Sequence, residues 1–93
     1  MLNFAICDDN LSILNKLATL LNEIFLKNDF EAQVTFKSDD IEALLNHFDE
    51  ERIDVLLLDI NLKSDKSGLD LAEEIRKKNK DVYLIFTTAH LEY

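Results

Sequence analysis

Ile53-Asp54-Val55-Leu56-Leu57-Leu58-Asp59 decides the fold. Apart from Asp54, the run from Ile53 to Leu58 is apolar, ends on an acid and is short for a helix. It reads as a strand buried on both faces, as in the middle of a parallel sheet. The same pattern opens the chain, where Leu2 to Cys7 stops at Asp8-Asp9. Val82 to Phe86 gives way to Thr87-Thr88-Ala89 in the same manner, and Ala32 to Phe36 alternates weakly as a further strand.

Helices fill the gaps between these strands. Asn10 can cap a helix over about Leu11 to Lys27. On a wheel of 100° per residue, Leu11, Ile13, Leu14, Leu17, Ala18, Leu20, Leu21, Ile24 and Phe25 share one half, with Leu26 the exception. A surface helix needs an apolar stripe of only about 100°. This helix therefore predicts cover from two directions, a sheet beneath it and something beside it. Asp39 with Glu42 has capping-box spacing and opens a second helix through about Phe48. Ser67 and Asp70 have cap spacing too, and Leu69, Leu71, Ala72 and Ile75 make the face of a third helix. The order β-α-β-α-β-α-β implies a parallel sheet with right-handed crossovers and helices on both faces.

At 93 residues there is room for one domain, residues 1–93. Hydrophobic residues at 47% and charged residues at 31% fit a globular chain and exclude a disordered one. With no proline and one glycine there is no linker or low-complexity segment. A net charge of −9 argues against direct nucleic-acid contact by this segment. Cys7 is the only cysteine, so no internal disulfide can form, and its place in an apolar run assigns it to the core. No apolar run approaches the ~20 residues of a membrane span, and the N-terminus lacks a signal-peptide pattern. A cytoplasmic location with no membrane partner is expected. His47 and His90 are not spaced as ligands and read as surface or interface residues. Arg76-Lys77-Lys78 reads as a solvated helix end that suits the helix dipole, and the phenylalanines at 4, 25, 30, 36, 48 and 86 read as core.

In sheets of this kind the working site lies beyond the carboxyl ends of the strands. Asp8, Asp9 and Asp59 would converge there, with Thr87 and Thr88 beside them. Crowded carboxylates need a cation or protons to coexist. A hard cation that prefers oxygen fits, and Mg²⁺ is held by a few carboxylates while keeping several waters. No His or Cys cluster offers a zinc alternative. A carboxylate is also a nucleophile toward phosphorus, giving an aspartyl phosphate, and a threonine hydroxyl can then hydrogen-bond a phosphoryl oxygen. Any one Asp at a strand end is commonly a turn residue or a cap. The combination on one sheet edge is what nominates a site.

Four stretches carry a family resemblance: Ile6-Cys7-Asp8-Asp9-Asn10, Leu56-Leu57-Leu58-Asp59-Ile60-Asn61-Leu62, Ser67-Gly68-Leu69-Asp70-Leu71 and Thr87-Thr88-Ala89-His90. They resemble the receiver domains of two-component response regulators. The ending Ala89-His90-Leu91-Glu92-Tyr93 and the Cys before the acid pair look most like the subgroup that carries a LytTR-type DNA-binding domain. The resemblance implies a flavodoxin-like (CheY-like) doubly wound sheet in strand order 2-1-3-4. It implies Asp59 as phosphoacceptor for a sensor histidine kinase and Thr88 as the switch residue. Mg²⁺ would be ligated directly by Asp9 and Asp59, by Asp8 through water, and by Asn61 through its backbone carbonyl. Gly68 matches the glycine that opens the third helix, where the loop is expected to turn sharply.

The chain departs from that family at its end. A complete receiver adds a fifth strand, a following Lys that pairs with the phosphoryl group, and a fifth helix; none of these is in the sequence, and Lys63 and Lys66 have no reason to substitute. The domain is thus expected to be incomplete at its C-terminus, with the transcriptional output domain outside this chain. The missing helix would have covered the second flank of the first helix. An open fourth strand and an open helix flank together predict a homodimer. The expected role is signalling, with self-dephosphorylation but no turnover of a separate substrate. Two alternatives compete. A Mg²⁺-dependent phosphohydrolase also uses an Asp nucleophile, but that class places a second Asp where Asn61 stands; a degenerate receiver would act only by binding proteins.

Overall fold

The computed structural model describes residues 1–60, 62 and 67–87. Strand β3 (Val55–Asp59) is buried at all five positions, and it lies inside the sheet, paired in parallel with β1 (Leu2–Cys7) on one side and β4 (Tyr83–Thr87) on the other. With β2 (Ala32–Ser38) outside β1, the order is β2-β1-β3-β4. Helices α1 (Leu11–Lys27), α2 (Ile41–Glu50) and α3 (Gly68–Lys78) alternate with the strands. The described residues therefore hold the doubly wound parallel sheet expected from the apolar runs.

Period-two alternation in the central strands divides the core into two layers. Ala5, Cys7, Leu56 and Leu58 face Leu44 of α2 and Leu71, Ala72 and Ile75 of α3. Ile6, Val55 and Leu57 face Leu14 and Ala18 of α1 on the opposite side. An apolar run with no polar face is what a strand covered on both sides requires. Truncating a fully buried member such as Leu56 to Ala would cost about 2–5 kcal/mol.

Helix α1 buries Leu14, Ala18 and Phe25, whereas Leu11, Leu20 and Ile24 on the flank of its apolar half are exposed. The helix ends in a Schellman turn: Phe30 N–H donates to the Phe25 carbonyl at 2.9 Å, Asp29 N–H donates to the Leu26 carbonyl at 3.4 Å, and Asp29 adopts φ 52°. Phe30 packs edge-on against Phe25, with ring centroids 6.5 Å apart.

Several details differ from the sequence expectation. Asp40, not Asp39, caps α2, its carboxylate accepting the Glu42 N–H at 3.0 Å. Strand β2 runs on to Ser38, whose hydroxyl takes the Asp40 N–H at 2.9 Å, so the cap falls one residue later. Ile53 is buried but precedes β3. Phe30 and Phe86 are exposed: one lies beyond the end of α1, the other on the outermost strand. His47 is half-buried and stacks on Phe36, ring centroids 4.1 Å apart.

Candidate acidic site at the carboxyl ends of the strands

Strand β1 delivers Cys7, Asp8 and Asp9 to the carboxyl end of the sheet. Asp8 N–H still follows the sheet, donating to the Ser38 carbonyl at 3.2 Å, and its side chain turns inward to 2% exposure. One carboxylate oxygen accepts the Asn10 N–H at 2.9 Å, the Asx turn that an aspartate forms two residues ahead of a chain reversal. Asn10 then accepts the Ile13 N–H and starts α1. Thus one short stretch both ends the strand and aims a carboxylate.

Asp59 ends β3, also at 2% exposure, and lies opposite Thr87 in the β3–β4 register. The backbone beyond it is held on two sides. Ile60 N–H donates to the Thr87 carbonyl at 3.0 Å, and the Ile60 carbonyl accepts the Gly68 N–H at 3.1 Å. Behind Gly68, Ser67 and Asp70 close a reciprocal capping box.

Carboxylate oxygens of Asp8, Asp9 and Asp59 lie within 4.8 Å of one another. Among the described residues this is the only group of three or more His, Cys, Asp or Glu side chains placed to hold a metal ion. Burial pushes the Asp8 carboxyl above its ordinary range, and the charges of Asp59 and Asp9 push the same way against the Asn10 N–H. Oxygen-only donors, crowded and partly stripped of water, suit a hard divalent cation and not zinc or copper. Cys7, directly behind the trio, has no exposure, and burial together with Asp8 and Asp59 raises its thiol to about 12. A thiol so hard to ionise is packing, not a nucleophile.

The family model of the response regulator receiver domain matches residues 4–93. The chain belongs to that family. This receiver domain is 41% identical over 85 residues to the sensory transduction protein LytR of Staphylococcus haemolyticus, covering 91% of this chain and 31% of that protein. It is 35% identical over 88 residues to the transcriptional regulatory protein LytR of Staphylococcus aureus, with 95% and 33% covered. The receiver domain therefore spans about a third of the length of the curated relatives it matches. Among solved structures, response regulator protein TrrA of Thermotoga maritima in complex with Mg(2+)-BeF matches at TM-score 0.79 and 31% identity, covering 97% of this chain and 71% of that one. The crystal structure of histidine kinase ThkA in complex with TrrA matches equally well, at TM-score 0.79 and 31% identity, with 100% and 73% covered.

Of the expected site residues, the structure brings Asp8, Asp9 and Asp59 together. Asn61 and Thr88 lie outside the described residues, as do Lys63, Lys66 and His90. Gly68 is where the sequence reading needs its reason corrected. No glycine has a positive φ, so no sharp turn demands it. Close approach does: a Cβ on Gly68 would overlap the Asp59 carbonyl oxygen and stand 2.8 Å from the Ile60 Cα. Its solitary status in the sequence was the available signal, but the packing distance is not written there.

Proposed function

We propose that this receiver domain takes a phosphoryl group from a sensor histidine kinase onto Asp59 and thereby controls a transcriptional output domain in a longer protein. The observation that carries the reading is the convergence of the Asp8, Asp9 and Asp59 carboxylates within 4.8 Å at one end of the sheet. Relatives named as transcriptional regulators and a neighbour solved with its histidine kinase support the two partners. Asp9 and Asp59 would hold Mg²⁺ directly, Asp8 through water and Asn61 through its backbone carbonyl. Bound there, the cation neutralises charge on the transferring group. An Asp59 carboxylate oxygen forms a bond to phosphorus as the donor's nitrogen–phosphorus bond breaks, its electron pair staying on the imidazole. The Thr88 hydroxyl would then donate to a phosphoryl oxygen. No described helix is long and apolar enough to cross a membrane.

Two measurements test this. Amide resonances around residues 8, 9 and 59 should shift with Mg²⁺ at concentrations up to on the order of ten millimolar, past the weak end of protein sites for hard divalent cations. Unmoved spectra would sink the metal site. A small-molecule phosphodonor should add one phosphoryl group, seen by mass spectrometry and absent from Asp59→Asn; a label that survives the substitution would place the chemistry elsewhere.

The domain is also proposed to self-associate. Tyr83 (74% exposed), Ile85 and Phe86 on β4, with Leu20 and Ile24 on α1, leave apolar surface in water. Sedimentation at micromolar concentration should give a dimer, and Ile85→Lys should return it to monomer. A wild-type monomer would end this reading.

A further inference from the structure

The geometry points to Gly68 as a positioning residue for the acidic site: its missing side chain is what lets α3 rest on the Asp59–Ile60 peptide and fix where the Asp59 carboxylate sits. The inference rests on the phosphoacceptor reading and assigns to that site a residue that touches neither metal nor phosphoryl group.

The contact is backbone on backbone. Gly68 N–H donates to the Ile60 carbonyl at 3.1 Å, and Gly68 itself is buried. A Cβ built there would overlap the Asp59 carbonyl oxygen, with the Ile60 Cα at 2.8 Å and the Asp59 carbonyl carbon at 3.1 Å. Carbon atoms in ordinary contact stand roughly 3.5–4.0 Å apart, so a methyl group needs a shift of about 1 Å. Each obstructing atom is main chain, and no flexible side chain can swing away. Nor can the Asp59–Ile60 segment retreat freely, because Ile60 N–H is bonded to the Thr87 carbonyl at 3.0 Å and Asp59 is paired with Thr87 in the sheet. On the other side, the Ser67–Asp70 capping box and the buried Leu71, Ala72 and Ile75 seat α3. The strain of an added methyl therefore falls on the peptide that carries Asp59. Ligand carboxylates must be held to a fraction of an ångström to act together.

Gly68→Ala tests this against Ala72→Gly, which weakens the same helix on its buried face without adding an atom beside Asp59. In Gly68→Ala the Asp59 and Ile60 amide resonances should move before any metal is added. Its Mg²⁺ affinity should fall by about tenfold or more, the usual scale for disturbing what supports a metal ligand. Ala72→Gly should lose thermal stability but keep wild-type Mg²⁺ affinity. Equal Mg²⁺ affinity in wild type and Gly68→Ala would overturn the assignment, as would an equal loss of affinity in Ala72→Gly. A Gly68→Ala chain that fails to fold even with saturating Mg²⁺ would give the residue a purely structural role and also overturn it. A wild-type chain that ignores Mg²⁺ would instead strike the phosphoacceptor reading itself, so the two failures are distinguishable.

Discussion

Asp8 and Asp54 sit at opposite ends of one sheet and have opposite fates. Asp54, just ahead of β3, has a side chain only 11% exposed and is fully provided for. Its carboxylate accepts the Asn3 N–H at 2.8 Å and Arg52 Nε at 2.8 Å. Its main chain ties to Asn3 and Tyr83, so one residue stitches three strands. The Asn3 N–H, and secondarily Arg52, hold its carboxyl below the usual range against the effect of burial. Asp8 is more buried, has one N–H partner among the described residues, faces two other acids, and is pushed the other way. A carboxylate whose neighbours already satisfy it is structural. One that the fold buries beside like charges is left needing a cation or a proton, and perturbation of that kind marks functional sites.

The largest effect belongs to the satisfied end. Asp54→Ala should destabilise the chain by about 2 kcal/mol at neutral pH, mostly through the Asn3 N–H left without its charged acceptor. Arg52 is 81% exposed, and its share of the pair should be small. Because folding lowers the Asp54 pKa, its stabilisation is present above the unfolded value, near 3.8, and is lost as pH falls through the folded one. Urea midpoints of wild type and variant should thus converge in acid. A gap that persists below that range would mean the carboxylate charge is not what holds the amino end.

Asp8→Asn should have the opposite sign. Asparagine still accepts the Asn10 N–H, while a buried charge beside Asp59 and Asp9 is removed. Folding raises the Asp8 pKa, so the wild type regains stability as pH falls from that raised value toward 3.8, and the advantage of the variant should shrink over the same window. Added Mg²⁺ should stabilise the wild type more than the variant. If Asp8→Asn is the less stable chain at neutral pH without metal, the contrast between the two ends fails.

The smallest effect sharpens the comparison at the turn that feeds β2, away from the acids. Asp29 holds φ 52° at the carboxyl end of α1, where glycine is the easier residue and a negative charge opposes the helix dipole. Asp29→Gly should stabilise by about 0.5 kcal/mol in thermal unfolding, with no change in Mg²⁺ response. A loss of Mg²⁺ response would show that the two ends are coupled.

The site was legible where chemistry follows strand order. Asp8, Asp9 and Asp59 could be placed together because parallel strands deliver their carboxyl ends to one edge, and each ended an apolar run. Asp54 could not be recognised. Inside the run 53–58 nothing in its neighbours reveals that Asn3, fifty-one positions away, supplies the N–H that satisfies it. Asp39 has the capping-box spacing to Glu42, and only the extra length of β2 moves the cap to Asp40.

By itself, then, the sequence determined what depends on periodicity: strands covered on both faces, an α1 with more apolar surface than one sheet can cover, and acids at the strand ends. Tertiary structure alone decided what depends on distance between remote segments. It set which carboxylate is satisfied and which is crowded, which phenylalanines reach the core, and why Gly68 must lack a side chain against Asp59. Patterning is a local sum of transfer free energies along the chain. Contact between backbones, or between a carboxylate and an N–H, is fixed only when the packed elements settle their separation to a fraction of an ångström.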